Sequence, residues 1–85
     1  MGEISSSLED YIEAVYSIYI KDNKVKAVDV ARRLNVSRAS VTEALQKLEQ
    51  IGLINYGHYG TISVTDDGVK KAKEVIKKRN TFGFF

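Results

Sequence analysis

Two acidic side chains near the N-terminus have the spacing of a paired carboxylate site. Asp10 and Glu13 stand at i and i+3, so they share one edge of a helix. Two carboxylates on one edge repel each other unless solvent, a hydrogen bond or a cation relieves the charge. A hard divalent cation suits oxygen ligands of this kind. A solvated acidic edge is the alternative interpretation, and the spacing alone favours it.

A second set of polar side chains lies on the outward face of a helix predicted to run to about Ile51. Projected at 100° per residue, this face lies opposite an apolar stripe. The stripe consists of Val41, Ala44, Leu45, Leu48 and Ile51. The members of the outward face are Ala39, Thr42, Glu43, Gln46 and Gln50. Small and polar groups can approach base edges in a major groove, whereas Ser37, Arg38 and Ser40 crowd the helix start, where phosphates can be held. An ordinary solvated helix face is the alternative for all of them.

Basic side chains are unevenly distributed along the chain. Residues 1–22 carry five acids against one lysine, whereas residues 23–60 and 61–85 each carry six basic against three acidic residues. This asymmetry fits an anionic partner met by one part of the domain. The side chains that could neutralise phosphates are Lys24, Lys26, Arg32, Arg33 and Lys47. Taken one by one, each is better explained as a surface charge.

Two short β-rich segments, LINY and TISVT, are joined by a glycine-containing loop, which is typical of a hairpin. The loop presents His58 and Tyr59, which as a wing would meet phosphates or the minor groove. The alternative is a flexible loop with Tyr56 packed inward, and we favour that alternative for Tyr56. A metal-binding role for His58 lacks support, because no partner ligand stands at a recognisable spacing.

The apolar spacing predicts the elements that must position these groups. The predicted elements are a first helix over 8–20, a polar loop over 21–26, a short helix over about 28–34, a tight turn at 35–37, a third helix to about 51, the hairpin and a last helix after Thr65. Ser37 and Thr65 are suitable N-caps, and Gly52 suits the positive φ at a helix end. Ala31 is the small residue required where two steeply crossing helices meet. This order predicts a mainly α winged helix-turn-helix with a two-stranded wing.

Composition narrows the class of protein. A chain of 85 residues forms one domain, and 44% hydrophobic with 28% charged residues is a globular composition. There is no cysteine and one histidine, and no phosphate-loop or dinucleotide fingerprint is present. We therefore expect no enzyme activity. No apolar run approaches the ~20 residues of a membrane span, so we expect no membrane partner and a cytoplasmic location.

Three stretches of the chain resemble the N-terminal domain of the iron- and manganese-dependent repressors, the diphtheria-toxin-repressor family. They are SLEDYIEAVY, VDVARRLNVSRASVTEALQKLEQIGLI and ISVTDDGVKKAKEVIKKR. The resemblance covers 8–79 as a DNA-binding domain, after a polar lead-in at 1–7. Residues 80–85 would then begin a truncated linker or dimerisation helix.

The resemblance implies a double-stranded DNA operator as partner and Mn²⁺ or Fe²⁺ as cofactor. Asp10 matches a primary metal ligand of the family, and Glu13 matches an additional carboxylate of its manganese-responsive branch. Ser37, Ala39 and Glu43 fall on family positions that approach bases. The family's other ligands and its dimerisation helices would lie beyond Phe85. We therefore expect weak or no metal binding by this chain alone, and a homodimer formed through later regions.

Together these features predict sequence-specific DNA binding, as the N-terminal domain of a divalent-metal-dependent transcriptional repressor. Two alternatives remain at this point. One is a metal-independent winged-helix transcription regulator, and the other is a winged helix used for protein–protein assembly.

Overall fold

The computed structural model describes the backbone of residues 6–57 and 61–80. The elements in chain order are α1 (Ser6–Asp22), β1 (Val25–Lys26), α2 (Ala27–Leu34), α3 (Arg38–Gln50), β2 (Ile54–Tyr56), β3 (Thr61–Val64) and α4 (Asp66–Asn80). The predicted order of helices and hairpin is confirmed. None of the helices in these ranges is long and apolar enough to cross a membrane.

The sheet has three strands, so the prediction of a two-stranded wing was incomplete. The strand order is β1-β3-β2 and both pairs are antiparallel. Val25 lies in the segment predicted to be a polar loop, yet it pairs with Ile62 and is completely buried. A strand of two residues is too short to show an alternating pattern. That Val25 belongs to the core becomes evident only from its pairing with β3.

The core forms where α1 passes between the other helices. α1 packs on α2, α3 and α4, and Ile12 and Val15 are fully buried at its centre. Leu45 and Leu48 of α3 and Val75 of α4 reach the same cluster. The apolar side of α3 is thus buried in the core, and its opposite side is exposed to solvent and can contact a partner.

The turn between α2 and α3 has the predicted geometry. Asn35 adopts the left-handed conformation with φ 57° and ψ 51°, which asparagine tolerates better than most residues. The Val36 N–H donates to the Ala31 carbonyl at 3.1 Å, and α2 ends at Leu34 as predicted. Ala31 is buried, in agreement with the small residue expected where the helices meet.

The C-terminal end of α3 is closed by a Schellman motif. Gly52 has φ +85°, its N–H donates to Glu49, and the Leu53 N–H donates to the Leu48 carbonyl at 2.9 Å. Ile51 was predicted to lie on the apolar stripe, but it is 46% exposed. The helix ends at Gln50, so Ile51 no longer follows the helical projection, and Leu53 is buried in its place.

Candidate nucleic-acid interface

The start of α3 is built by a serine pair. The Ser37 hydroxyl accepts from the backbone N–H of Ser40 at 3.1 Å and donates to the Ser40 hydroxyl at 3.0 Å. This N-cap confirms the predicted first residue of the helix. Ser37, Arg38 and Ser40 are all exposed. The positive end of the helix dipole, two hydroxyls and a guanidinium therefore face solvent together, which is an arrangement suited to phosphate oxygens.

The outward face of α3 is exposed as the helical projection predicted. Val41, Ala44, Leu45 and Leu48 form the buried side. On the other side Ala39, Glu43, Gln46 and Gln50 are exposed, and Thr42 is half-buried. This face carries a methyl group, a hydroxyl, a carboxylate and two amides. An α-helix of about 10–12 Å diameter fits a B-DNA major groove about 12 Å wide, where such groups can meet base edges.

Exposed cations lie on α3 and on segments that precede it in the chain. Lys47 is exposed on α3, and Arg32 and Arg33 are exposed at the end of α2. Lys24 and Lys26 are exposed on either side of the buried Val25. Within the part of the chain that the structure describes, neither Arg38 nor Lys47 forms an ion pair. Their charges therefore remain uncompensated by these residues and can act on an anionic ligand.

The two strands that flank the predicted wing loop are paired as expected. Ile54 pairs with Val64 and Tyr56 with Ile62, and the Gly57 N–H donates to the Thr61 carbonyl at 2.8 Å. Tyr56 is half-buried against the core, as we favoured. The predicted contacts of His58 and Tyr59 lie outside the described residues.

The carboxylate edge of α1 is divided between an exposed and a half-buried side chain. Asp10 is exposed and Glu13 is half-buried. Within residues 6–57 and 61–80, no three His, Cys, Asp or Glu side chains stand close enough to hold a metal ion. The donors are of the type that Mn²⁺ or Fe²⁺ accepts. Their number falls short of a complete coordination sphere in this part of the chain.

The neighbouring acid, Glu9, has a structural function that the sequence did not reveal. Glu9 is 8% exposed, and its carboxylate accepts from Lys78 Nζ of α4 at 3.0 Å. A largely buried carboxylate requires such a partner, because an unpaired buried charge is costly. Spacing could not identify this pair, since 69 residues separate its members.

Three features define a winged helix-turn-helix DNA-binding domain. They are a recognition helix with an exposed polar face, a tight turn that joins it to a preceding helix, and a pair of strands that follows it. Comparison with known proteins agrees. The model of the family described as "Iron dependent repressor, N-terminal DNA binding domain" matches residues 3–62. The chain belongs to this family.

Curated relatives are regulators of the same type. The chain is 36% identical over 84 residues to an uncharacterized HTH-type transcriptional regulator of Methanocaldococcus jannaschii, covering 96% of this chain and 66% of that protein. It is 32% identical over 72 residues to the HTH-type transcriptional regulator MntR of Lysinibacillus sphaericus, covering 85% and 52%. The chain thus spans about half to two thirds of these relatives. That the relatives are regulators confirms the prediction of a protein that is not an enzyme.

Solved structures share the fold. Lactococcus lactis ZitR superimposes with a TM-score of 0.78 at 25% identity, covering 96% of this chain and 56% of that chain. ZitR in complex with DNA gives 0.76 at 24% identity, covering 96% and 57%. The reduced form of MarR from E. coli gives 0.75 at 15% identity, covering 88% and 53%. The predicted fold class, corrected to three strands, is confirmed.

Proposed function

We propose that this domain reads a double-stranded DNA operator by inserting α3 into the major groove. The observation that carries the proposal is the exposed polar face of α3, which begins at an N-cap surrounded by hydroxyls and a guanidinium. Thr42, Glu43 and Gln46 would face base edges, with Ala39 beside a thymine methyl group. Ser37, Arg38, Ser40 and Lys47 would hold phosphates, and His58 and Tyr59 of the wing loop would meet the backbone or the minor groove.

The whole protein would be a cytoplasmic repressor that depends on a divalent transition metal, Mn²⁺ or Fe²⁺. Asp10 and Glu13 would supply oxygen ligands from α1, and regions beyond Phe85 would supply the others. A homodimer formed through those regions would present two copies of α3 to a twofold-related operator. Membership of the family and the chemistry of the two carboxylates support this part of the proposal.

Salt dependence tests the DNA contact directly. Replacing Arg38 or Lys47 by alanine should make the plot of log K against log[salt] less steep. The magnitude of the negative slope should fall by about 0.9 for each lost phosphate contact. Fluorescence anisotropy with a labelled duplex at several salt concentrations measures this slope. Lys73→Ala is the matched control, because Lys73 is exposed on α4, which packs on α1 and β3. Equal slopes for all three variants and the wild type would instead favour protein–protein assembly through α3.

Glu43 should determine base preference more than affinity. A carboxylate in a groove is repelled by phosphates unless it accepts from a cytosine amino group. Glu43→Gln removes the charge and adds a donor, so we expect binding-site selection to return a relaxed or switched preference at one position. Glu49→Gln makes the same charge change on α3, about 120° around the helix axis from Glu43. An unchanged profile for Glu43→Gln, or the same change for Glu49→Gln, contradicts this role.

A further inference from the structure

Thr65 connects α3 and α4, the two helices that precede and follow the β2–β3 hairpin in the chain. Its hydroxyl donates to the Gly52 carbonyl at 2.7 Å and accepts from the Gly68 N–H at 3.0 Å. Its own N–H donates to the Leu53 carbonyl at 3.1 Å. Gly52 and Leu53 close the C-terminal end of α3, whereas Gly68 lies in the first turn of α4. We call these four residues the α3–α4 joint.

The joint is one of two places where the ends of α3 are held. The N-terminal end is held to α2 by the turn that contains Asn35 and Ser37. The C-terminal end is held through the carbonyl groups of Gly52 and Leu53. Because the hydrophobic effect is non-directional, apolar packing by itself leaves a helix some freedom to shift. Directed hydrogen bonds at both ends restrict the angle at which the polar face of α3 is presented.

Base recognition requires the orientation of α3 to be set more precisely than phosphate binding does. Hydrogen bonds to bases require donor–acceptor distances of about 2.7–3.2 Å and good alignment. Attraction between a lysine or arginine and the phosphate backbone falls off only over a Debye length of about 10 Å. A small shift of α3 therefore weakens base recognition much more than it weakens sequence-independent binding.

We propose that Thr65 is a positioning residue for base recognition, acting by tethering the C-terminal end of α3 to the start of α4. The inference rests on the proposed insertion of α3 into the major groove. Thr65 does not contact DNA in this arrangement. It sets the ratio of specific to non-specific affinity, while the outward side chains of α3 supply the contacts.

The N-cap function of Thr65 can be separated from its tether function by one substitution. In Thr65→Asp, the carboxylate still accepts from the Gly68 N–H and caps α4 well. It cannot donate to the Gly52 carbonyl, so the side-chain part of the tether is lost, whereas the backbone N–H still donates to the Leu53 carbonyl. Thr65→Ser keeps both hydrogen bonds. Thr65→Val loses both hydrogen bonds at nearly constant shape and serves as a second variant if Thr65→Asp does not fold.

The experiment compares each variant on two duplexes at one salt concentration. The duplexes are a site selected by the wild-type chain from a random library and a scrambled duplex of equal length. For Thr65→Asp the ratio of the two affinities should fall about tenfold. For Thr65→Ser it should stay within about twofold of the wild type. The added charge of aspartate affects both duplexes alike, so the ratio cancels it.

Val75→Ala is the control for a merely structural effect. Val75 is 1% exposed in α4 and takes no part in the joint. The Val75→Ala substitution should lower thermal stability without changing the affinity ratio. The affinities are measured at a temperature at which circular dichroism shows every variant to be fully folded. An unchanged ratio in both Thr65→Asp and Thr65→Val, or an equal loss in Val75→Ala, overturns the assignment of Thr65. A wild-type chain that selects no duplex, either alone or within a longer protein supplied with Mn²⁺, would overturn the proposed function itself.

Discussion

Replacing Gly68 by alanine should destabilise the domain by about 3 kcal/mol, at the upper end of the usual cost of overpacking. A Cβ atom at this position would collide with the Leu53 carbonyl and lie 2.7 Å from Cγ1 of Val64. The Leu53 carbonyl also accepts from the Thr65 N–H, so it cannot move aside without losing that hydrogen bond. In a domain of this size, 3 kcal/mol corresponds to a drop in Tm of roughly 12–24 °C.

Gly52→Ala is the matched control for this prediction. Gly52 has φ +85°, but nothing lies within 4 Å of an added Cβ. Its replacement therefore introduces only left-handed backbone strain, about 1–2 kcal/mol. Thermal and urea unfolding are followed by circular dichroism. The free energy of unfolding should be lowest for Gly68→Ala, higher for Gly52→Ala and highest for the wild type. A Gly68→Ala variant as stable as Gly52→Ala would contradict the close approach of α4 to the end of α3.

Asp10→Ala should abolish the metal response of a longer protein that carries the remaining ligands. Asp10 and Glu13 offer oxygen donors on one edge of α1, and Mn²⁺ prefers about six ligands in an octahedral arrangement. Loss of one ligand from the proposed shared site should remove metal-dependent operator binding while leaving the fold intact. Anisotropy titrations with and without Mn²⁺ measure the response. Asp22→Ala is the control, because Asp22 is an exposed acid at the other end of α1.

The same picture predicts weak metal binding by the 85-residue chain. The described residues provide no group of three ligands, so water would fill most coordination positions. Calorimetric titration with Mn²⁺ should give little heat and no tight site. Tight binding by this chain alone would contradict a site shared with later regions. If the longer protein still responds to metal after both Asp10 and Glu13 are replaced, the alternative interpretation holds, and these residues form a solvated acidic edge.

Local rules were sufficient for most of the secondary structure. The Ser37 and Thr65 caps, the left-handed Asn35 and the positive φ of Gly52 follow from residue type and the few residues on either side. The buried stripe of α3 and its outward face follow from the helical period. Each of these features depends on interactions within about one turn of helix. For that reason the sequence alone predicted the exposed polar face of α3, including the N-cap at its start.

Features that join distant segments were decided by the tertiary structure. Val25 is a core residue because β3 lies beside it, and the charge of the buried Glu9 is tolerated because Lys78 of α4 pairs with it. Gly68 must be small because the end of α3 passes against it, although its own backbone does not need positive φ. Thr65 could be recognised as a cap, yet its bond to Gly52 across 13 positions could not. Local spacing carries no information about which distant groups meet, because those meetings depend on how helices and strands pack around one shared core.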